Sequence, residues 1–330
     1  MNADRASHLS LILDLSPAQW HLSSAPSNPS PLSLETFLSH VLTFVNSHIA
    51  SKPENTLAVF GALPGKSVLI HSSEIADADG SVDIPGDPNS YRPFKLVDSV
   101  IAQNIETEIG GLYLADEEPP VALVGALTKA LCHINRTYQT SAERSSTTQN
   151  SDAVPEPRIL ILSVSPDLSA SYIPIMNSIF SAQKLKVTID ICKVFGPDTV
   201  FLQQVSHLTG GSYIHLEQRD ALLQFLIMSF LSPPFMREVL AVPKQDKVDF
   251  RAACFCHKNI VDIAFVCSVC LSIFCSPVPV CTTCRTKFPI KSLQRLQSAR
   301  PFQTGGPSGI ANGVSTPANG SPKPRPATAS

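Results

Sequence analysis

Polar and apolar positions follow two rhythms along the first 230 residues. Runs such as Arg158–Val164 (RILILSV) are almost continuously apolar, as is typical of a central parallel strand. Between such runs, apolar residues recur three and four apart: Leu34, Phe37, Leu38, Val41, Leu42, Phe44, Val45 and Ile49 mark a helix that Ser33 can cap. In chain order the pattern predicts strand His8–Leu15, that helix, and strands Asn55–Phe60 and Ser67–His71 joined by a Pro-Gly turn. Helices Phe94–Ile109 and Pro120–Tyr138 follow. Strand Arg158–Val164, helix Tyr172–Leu185, strand Lys186–Phe195, helix Thr199–Leu208, strand Ser212–Leu216 after a Gly210-Gly211 turn, and helix Gln218–Phe230 complete the series. Strands alternating with helices predict a doubly wound, mostly parallel α/β sheet with helices on both faces.

Ser232-Pro233-Pro234 breaks this pattern. The expected division is an α/β domain over 1–232, a linker over 233–249, a cysteine-rich module over 250–290, and a basic helix-like run with a disordered tail over 291–330. Two polar stretches interrupt the first domain. One is the Asp/Pro/Gly loop Ala76–Arg92; the other is the Ser/Thr-rich insertion Thr140–Pro157, which its composition predicts to be mobile.

Composition supports a buried core, with 43% hydrophobic and 16% charged residues. Charge is unevenly spread. The stretch from Arg285 to Ser330 holds seven basic residues and no acidic ones, so a chain of net charge −2 carries −9 over residues 1–284. That asymmetry allows a weak contact of Lys291, Arg295 and Arg300 with DNA or an acidic partner; a solvated basic end is the plainer reading, because no aromatics interleave the charges. No run has the apolar length of a bilayer span. Asp14 closes the apolar N-terminal run without a cleavage-like site, so no export and no membrane role are expected.

Seven of the nine cysteines fall between Cys254 and Cys284. Cys267-x2-Cys270-x10-Cys281-x2-Cys284 gives two knuckles that can close on one tetrahedral zinc ion. Cys254, Cys256, His257 and Cys275 are left over, enough for a second, interleaved ion. The adjacency of Cys256 and His257 crowds that site, and the alternative is that Cys254 or Cys275 packs as a small buried residue. Cys132 and Cys192 stand singly in apolar surroundings, as reduced core cysteines do, which points to the cytosol or nucleus. Few apolar residues lie between Phe250 and Phe288, so zinc would supply most of the module's stability. Four thiolates leave no open position, which makes the ion structural.

The opening strand ends in Asp14-Leu15-Ser16-Pro17-Ala18. Its place before this order of elements resembles the von Willebrand factor type A domain, whose D-x-S-x-S motif helps to hold a divalent ion. Here Ala18 replaces the second hydroxyl, and Ser163-Val164-Ser165-Pro166-Asp167 lacks an Asp at the strand tip. A hard cation needs about six oxygens, so Asp14 and Ser16 form a degenerate site, no Mg2+ is expected, and Asp14 is expected to cap loop backbone. Gly61-Ala62-Leu63-Pro64-Gly65-Lys66-Ser67 looks like a phosphate loop, but it is one residue short and leads into a strand. No zinc-hydrolase histidine pair and no nucleophile–base pair stands out, so neither an enzyme nor a small-molecule substrate is expected.

The string CFCHKNIVDIAFVCSVCLSIFCSPVPVCTTCRTKF, with LSLILDLSPAQW and PLSLETFLSHVLTFVNSHIA, resembles the small von Willebrand-domain subunits of transcription factor IIH over about residues 8–290. That resemblance implies a nuclear, non-catalytic core subunit acting in promoter opening and nucleotide excision repair. It implies pairing with the complex's larger von Willebrand and RING-like subunit, besides other core subunits. A RING-type ubiquitin ligase is the enzymatic rival. It is opposed by a C-x-C-H first group and by the lack of a histidine between the second and third groups. A zinc-dependent nucleic-acid binder and an integrin-type surface receptor are further alternatives.

Overall fold

The computed structural model describes residues 6–73, 91–112, 119–145, 155–167, 172–233, 236–237, 239–240, 248–257, 259–291 and 294–295. Most of the Ala76–Arg92 loop, the middle of the 140–157 insertion and the tail beyond Pro301 lie outside these residues. The chain divides into two compact units, Met1–Ala264 and Phe265–Ser330, so the division falls inside the cysteine-rich segment.

The first unit is built on six strands: β1 (Ser7–Asp14), β2 (Thr56–Leu63), β3 (Lys66–Ser72), β4 (Glu156–Ser163), β5 (Thr188–Lys193) and β6 (Tyr213–His215). Their spatial order is β3-β2-β1-β4-β5-β6. β3 runs antiparallel to β2 and every other pairing is parallel, for example Leu11↔Val59 and Leu11↔Leu160. Because a strand's side chains alternate in direction, β1 sends Leu9, Leu11 and Leu13 to one core and Ile12 to the other. Helices α1 (Pro17–Ser23), α2 (Leu34–Ser51) and α3 (Arg92–Gly110) cover the first face, together with α7 (Leu222–Phe225). Helices α4 (Leu123–Ser145), α5 (Tyr172–Leu185) and α6 (Val200–Thr209) cover the second. This is the mostly parallel, doubly wound sheet expected from the alternation. Among the described residues no helix is long and apolar enough to cross a membrane.

Several details differ from the sequence pattern. Helix α1 was not anticipated; Pro17 sits in its first turn, and the Ser16 hydroxyl caps it by accepting from Gln19 N. Pro119 and Pro120 precede α4, and the helix then runs to Ser145, past the expected end at Tyr138 and into the 140–157 stretch, because Ser-Ala-Glu-Arg tolerates helix. β4 already includes Pro157. Lys186 takes φ 56 and closes α5, so β5 starts at Thr188 instead of Lys186. The expected helix Gln218–Phe230 is a 3-10 turn (Arg219–Ala221), one α turn and a π turn (Leu226–Phe230). Cys132 is exposed on α4, not a core residue, whereas Cys192 is buried and its thiol is pushed up in pKa by that burial. The glycine-rich Gly61–Ser67 stretch is the β2–β3 hairpin, turned by Gly65 at φ 70.

Arg158 ties the end of the π turn to the sheet. It is buried and donates through Nη1 to the carbonyl of Phe230 and, at 3.3 Å, to that of Ser232, and through Nη2 to that of Leu231 at 3.0 Å. A cation suits the negative end of a helix. Beside it Arg237 makes a two-pronged ion pair with buried Asp190, at 2.5 and 2.6 Å. Gly211 has no alternative: a Cβ there would lie 1.9 Å from the Ile189 carbonyl oxygen.

Candidate metal centres

Two knuckles of the second unit share one backbone plan. In the first, Cys267 N–H donates to Ser272 O and Leu271 N–H returns to Cys267 O, both at 2.9 Å. In the second, Cys281 N–H donates to Thr286 O and Arg285 N–H returns to Cys281 O, again at 2.9 Å. The residue after each second cysteine is left-handed, Leu271 at φ 60 and Arg285 at φ 61. Non-glycine residues avoid that region at a cost of roughly 1–2 kcal/mol, so both turns need something to hold them. A hydroxyl two residues past each second cysteine touches its sulfur: Ser272 Oγ lies 3.0 Å from Cys270 Sγ and Thr286 Oγ1 lies 3.1 Å from Cys284 Sγ. The Ser272 hydroxyl, then its backbone N–H, pulls the Cys270 thiol down to about 6; Thr286 acts in the same direction on Cys284.

The four sulfur atoms of Cys267, Cys270, Cys281 and Cys284 all lie within 4.8 Å of one another. Cys267 Sγ is 3.7 Å from Cys284 Sγ, and Cys270 Sγ is 3.5 Å from Cys281 Sγ. A tetrahedron with zinc–sulfur bonds of about 2.3 Å has edges of about 3.8 Å, so the donors fit zinc in number, chemistry and spacing. Covalent sulfur pairing needs about 2.05 Å, and none of these cysteines is in a disulfide. Strand pair β9 (Phe265–Val266) and β10 (Ile273–Phe274) carries the first knuckle, and the Val280–Lys287 bridge closes the second. The cysteine clusters of this chain could thus hold metal ions.

Cys254, Cys256 and His257 belong to the first unit and Cys275 to the second. Cys254 is buried at the end of a hairpin formed by β7 (Ala252–Ala253) and β8 (Ile260–Val261). Its N–H donates to Asn259 O at 2.8 Å, the same five-residue closure seen at Cys267 and Cys281. Cys256 and Cys275 are half-buried and His257 is exposed.

At the carboxyl end of the sheet, β1 and β4 lie side by side where strand order reverses, the place at which open α/β sheets bind ligands. Asp14 is fully buried there. Its Oδ2 accepts from Val164 N at 3.0 Å, Ser165 N at 2.8 Å and Ser163 Oγ at 3.5 Å. Its Oδ1 accepts from Ser165 Oγ at 3.0 Å and Ser16 N at 3.3 Å. The Asp14 carbonyl accepts from Trp20 Nε1 at 2.8 Å.

Lys193, the last residue of β5, brings a buried positive charge to this end of the sheet. Its ammonium donates to Ser165 O and feels Asp14, Asp167 and Asp198, while burial pulls its pKa down to about 8. A carboxylate with this many donors has little left for a metal ion, and the ammonium already supplies a cation. Sequence reasoning missed Lys193. The available signal was a lysine inside TIDICK, a strand whose other positions are nearly all buried. The basic run offers less: Lys291 and Arg295 are exposed, and Arg300 is outside the described residues.

A family model described as "Transcription factor Tfb4" matches residues 6–285. General transcription and DNA repair factor IIH subunit tfb4 of Schizosaccharomyces pombe is 36% identical over 88% of this chain and 92% of that protein. Subunit TFB4 of the same factor from Arabidopsis thaliana is 33% identical over 93% of this chain and 97% of that protein. Among solved structures, the TFIIH p34 N-terminal domain aligns with a TM-score of 0.56 at 27% identity, covering 69% of this chain and 99% of that one.

Proposed function

We propose, for a chain that belongs to the Tfb4 transcription-factor family, the role its relatives' names carry: a structural subunit of general transcription and DNA repair factor IIH. The observation that carries this reading is the family match over residues 6–285, which takes in both the α/β domain and the cysteine-rich segment. It acts in the nucleus, in initiation by RNA polymerase II and in nucleotide excision repair.

The subunit is non-catalytic. In support, the carboxylate at the ligand-binding end of the sheet is spent on loop backbone, and a zinc ion on Cys267, Cys270, Cys281 and Cys284 would be closed by four thiolates. That ion supplies structure, fixing two strained knuckles. A second ion is proposed on Cys254, Cys256, His257 and Cys275, supported by a donor composition typical of structural zinc. No Mg2+ is held at Asp14 and Ser16.

The partners are other subunits of factor IIH, foremost the larger von Willebrand and RING-like one. Two attachment regions on one chain, the α/β domain and the zinc module, gain through effective concentration even if each is weak. Any DNA contact through the basic end is weak. Co-expression with that larger subunit, followed by size-exclusion chromatography, tests the assignment. A stable equimolar complex is expected, and separate elution of the two chains would contradict it.

A further inference from the structure

We propose that Gln204, helped by Gln203, is a positioning residue for the first metal-ligand group, Cys254, Cys256 and His257. It would clamp the segment that carries them onto helix α6 of the α/β domain. The inference rests on the two-ion reading above and names the residues that hold the segment carrying three of the four donors proposed for the second ion.

Gln203 and Gln204 are both buried, in the middle of α6, where most inward neighbours are Phe201, Leu202 and Val205. Buried amides are costly unless they are hydrogen-bonded. The Gln204 amide donates twice, to Asp249 O at 2.8 Å and to Arg251 O at 3.1 Å. Gln203 Oε1 accepts from Asp249 N at 3.5 Å. One turn along the helix, the His207 ring meets Phe250 edge to face at 5.2 Å. Three successive residues, Asp249, Phe250 and Arg251, thus lie along α6 and are gripped by it.

The grip reaches Cys254 through the β7–β8 hairpin. Arg251 braces the segment by pairing with Asp249 at 2.7 Å and with Asp262, across the hairpin, at 3.2 Å. Ala253 packs into the same core cluster as α6. Ala252 and Ala253 pair with Val261 and Ile260, and Cys254 N closes on Asn259 O. The turn bearing Cys254, Cys256 and His257 therefore grows from a root fixed to a rigid helix. A flexible ligand group must lose chain entropy when it binds an ion; here the helix has already imposed that order.

The test uses the full chain, as wild type, Gln204→Glu and Phe250→Ala. Glutamate keeps the size of the side chain but cannot donate to two carbonyls as an anion. Phe250 is more than half exposed, so its loss spares the fold while removing the ring contact. Two readouts are taken: amide hydrogen exchange over 249–257, and zinc release to a colorimetric chelator.

Supporting groups around metal ligands typically change metal affinity 10- to 100-fold. In Gln204→Glu, exchange over 249–257 and the release of one ion should therefore each quicken about 10-fold, with the release rate of the other ion unchanged. Phe250→Ala should move both readouts the same way by less. If wild type holds two ions and both variants match it in exchange and release, the inference is overturned and the two-ion reading stands. Wild type holding a single ion overturns both.

Discussion

Asp14 accepts the backbone N–H of Ser165 at 2.8 Å, across the boundary between the first and fourth strands of the sheet. One buried carboxylate joins two loops that are 151 residues apart in sequence, and the neighbouring ammonium of Lys193 donates to Ser165 O. This end of the sheet is thereby held by a structural joint. Asp14→Ala should cost about 3 kcal/mol, the range for removing one partner of a buried charged network. Urea unfolding of the variant measures this; a loss under about 1 kcal/mol would mean the joint is not needed.

Arg158→Met should be similarly costly. The guanidinium satisfies carbonyls of Phe230, Leu231 and Ser232, and a shorter thioether without a donor leaves them unpaired. The expected loss is about 3 kcal/mol. Hydrogen exchange should localise it to residues 226–231, where the π turn meets the sheet. Uniform exchange changes over the whole domain would argue against this local role.

Acid should destabilise the α/β domain as pH falls below the ordinary histidine range, about 6.5. Burial, then the fields of His133 and His48, lowers the His8 pKa to about 3. Burial, then Arg158, lowers that of His48 to about 4. Both imidazoles stay neutral in the folded state while the unfolded chain takes up protons near pH 6.5. The folded state is therefore stabilised above 6.5 and loses that stability as pH falls toward 4, by up to about 1.4 kcal/mol per pH unit for each histidine. Urea midpoints at pH 7.5, 6 and 5 follow the decline, and His8→Asn should flatten it. A midpoint constant across this range would refute the assignment.

Much of this was legible in the residues. Alternating strand and helix patterns gave the doubly wound sheet because inner strands such as β4 are buried on both faces, which leaves a nearly continuous apolar signature. The Cys267–Cys284 spacing was equally plain, since knuckle geometry is local. Distant partnerships were not. Lys193 looks like any strand residue until β5 is placed beside β4, and Gln204 looks like a helix surface residue until the segment at 249 returns to meet it. Cys132 misled for the opposite reason: an apolar neighbourhood in sequence says little about which side of a helix a residue occupies. The end of α4 was missed because Ser/Thr richness suggests a loop, while Ala and Glu among those residues sustain helix.

Cys267→Ser should release the ion of its own set and unfold the zinc module without unfolding the α/β domain. Zinc binding in small sites contributes on the order of 10 kcal/mol to folding, far more than the few buried side chains of the second unit, such as Phe274, can replace. Near-native far-ultraviolet dichroism for the helices, together with protease cleavage confined to residues after 264, is the expected pattern. Protection of that segment equal to wild type would show that the metal is dispensable.

X-ray absorption at the zinc edge tests the central claim, a metal closed off by thiolates. The spectrum should show a first shell dominated by sulfur at about 2.3 Å, with at most a minor nitrogen component and no bound water. A shell dominated by oxygen or nitrogen near 2.0–2.1 Å, or protein that folds fully with no zinc at all, would contradict it.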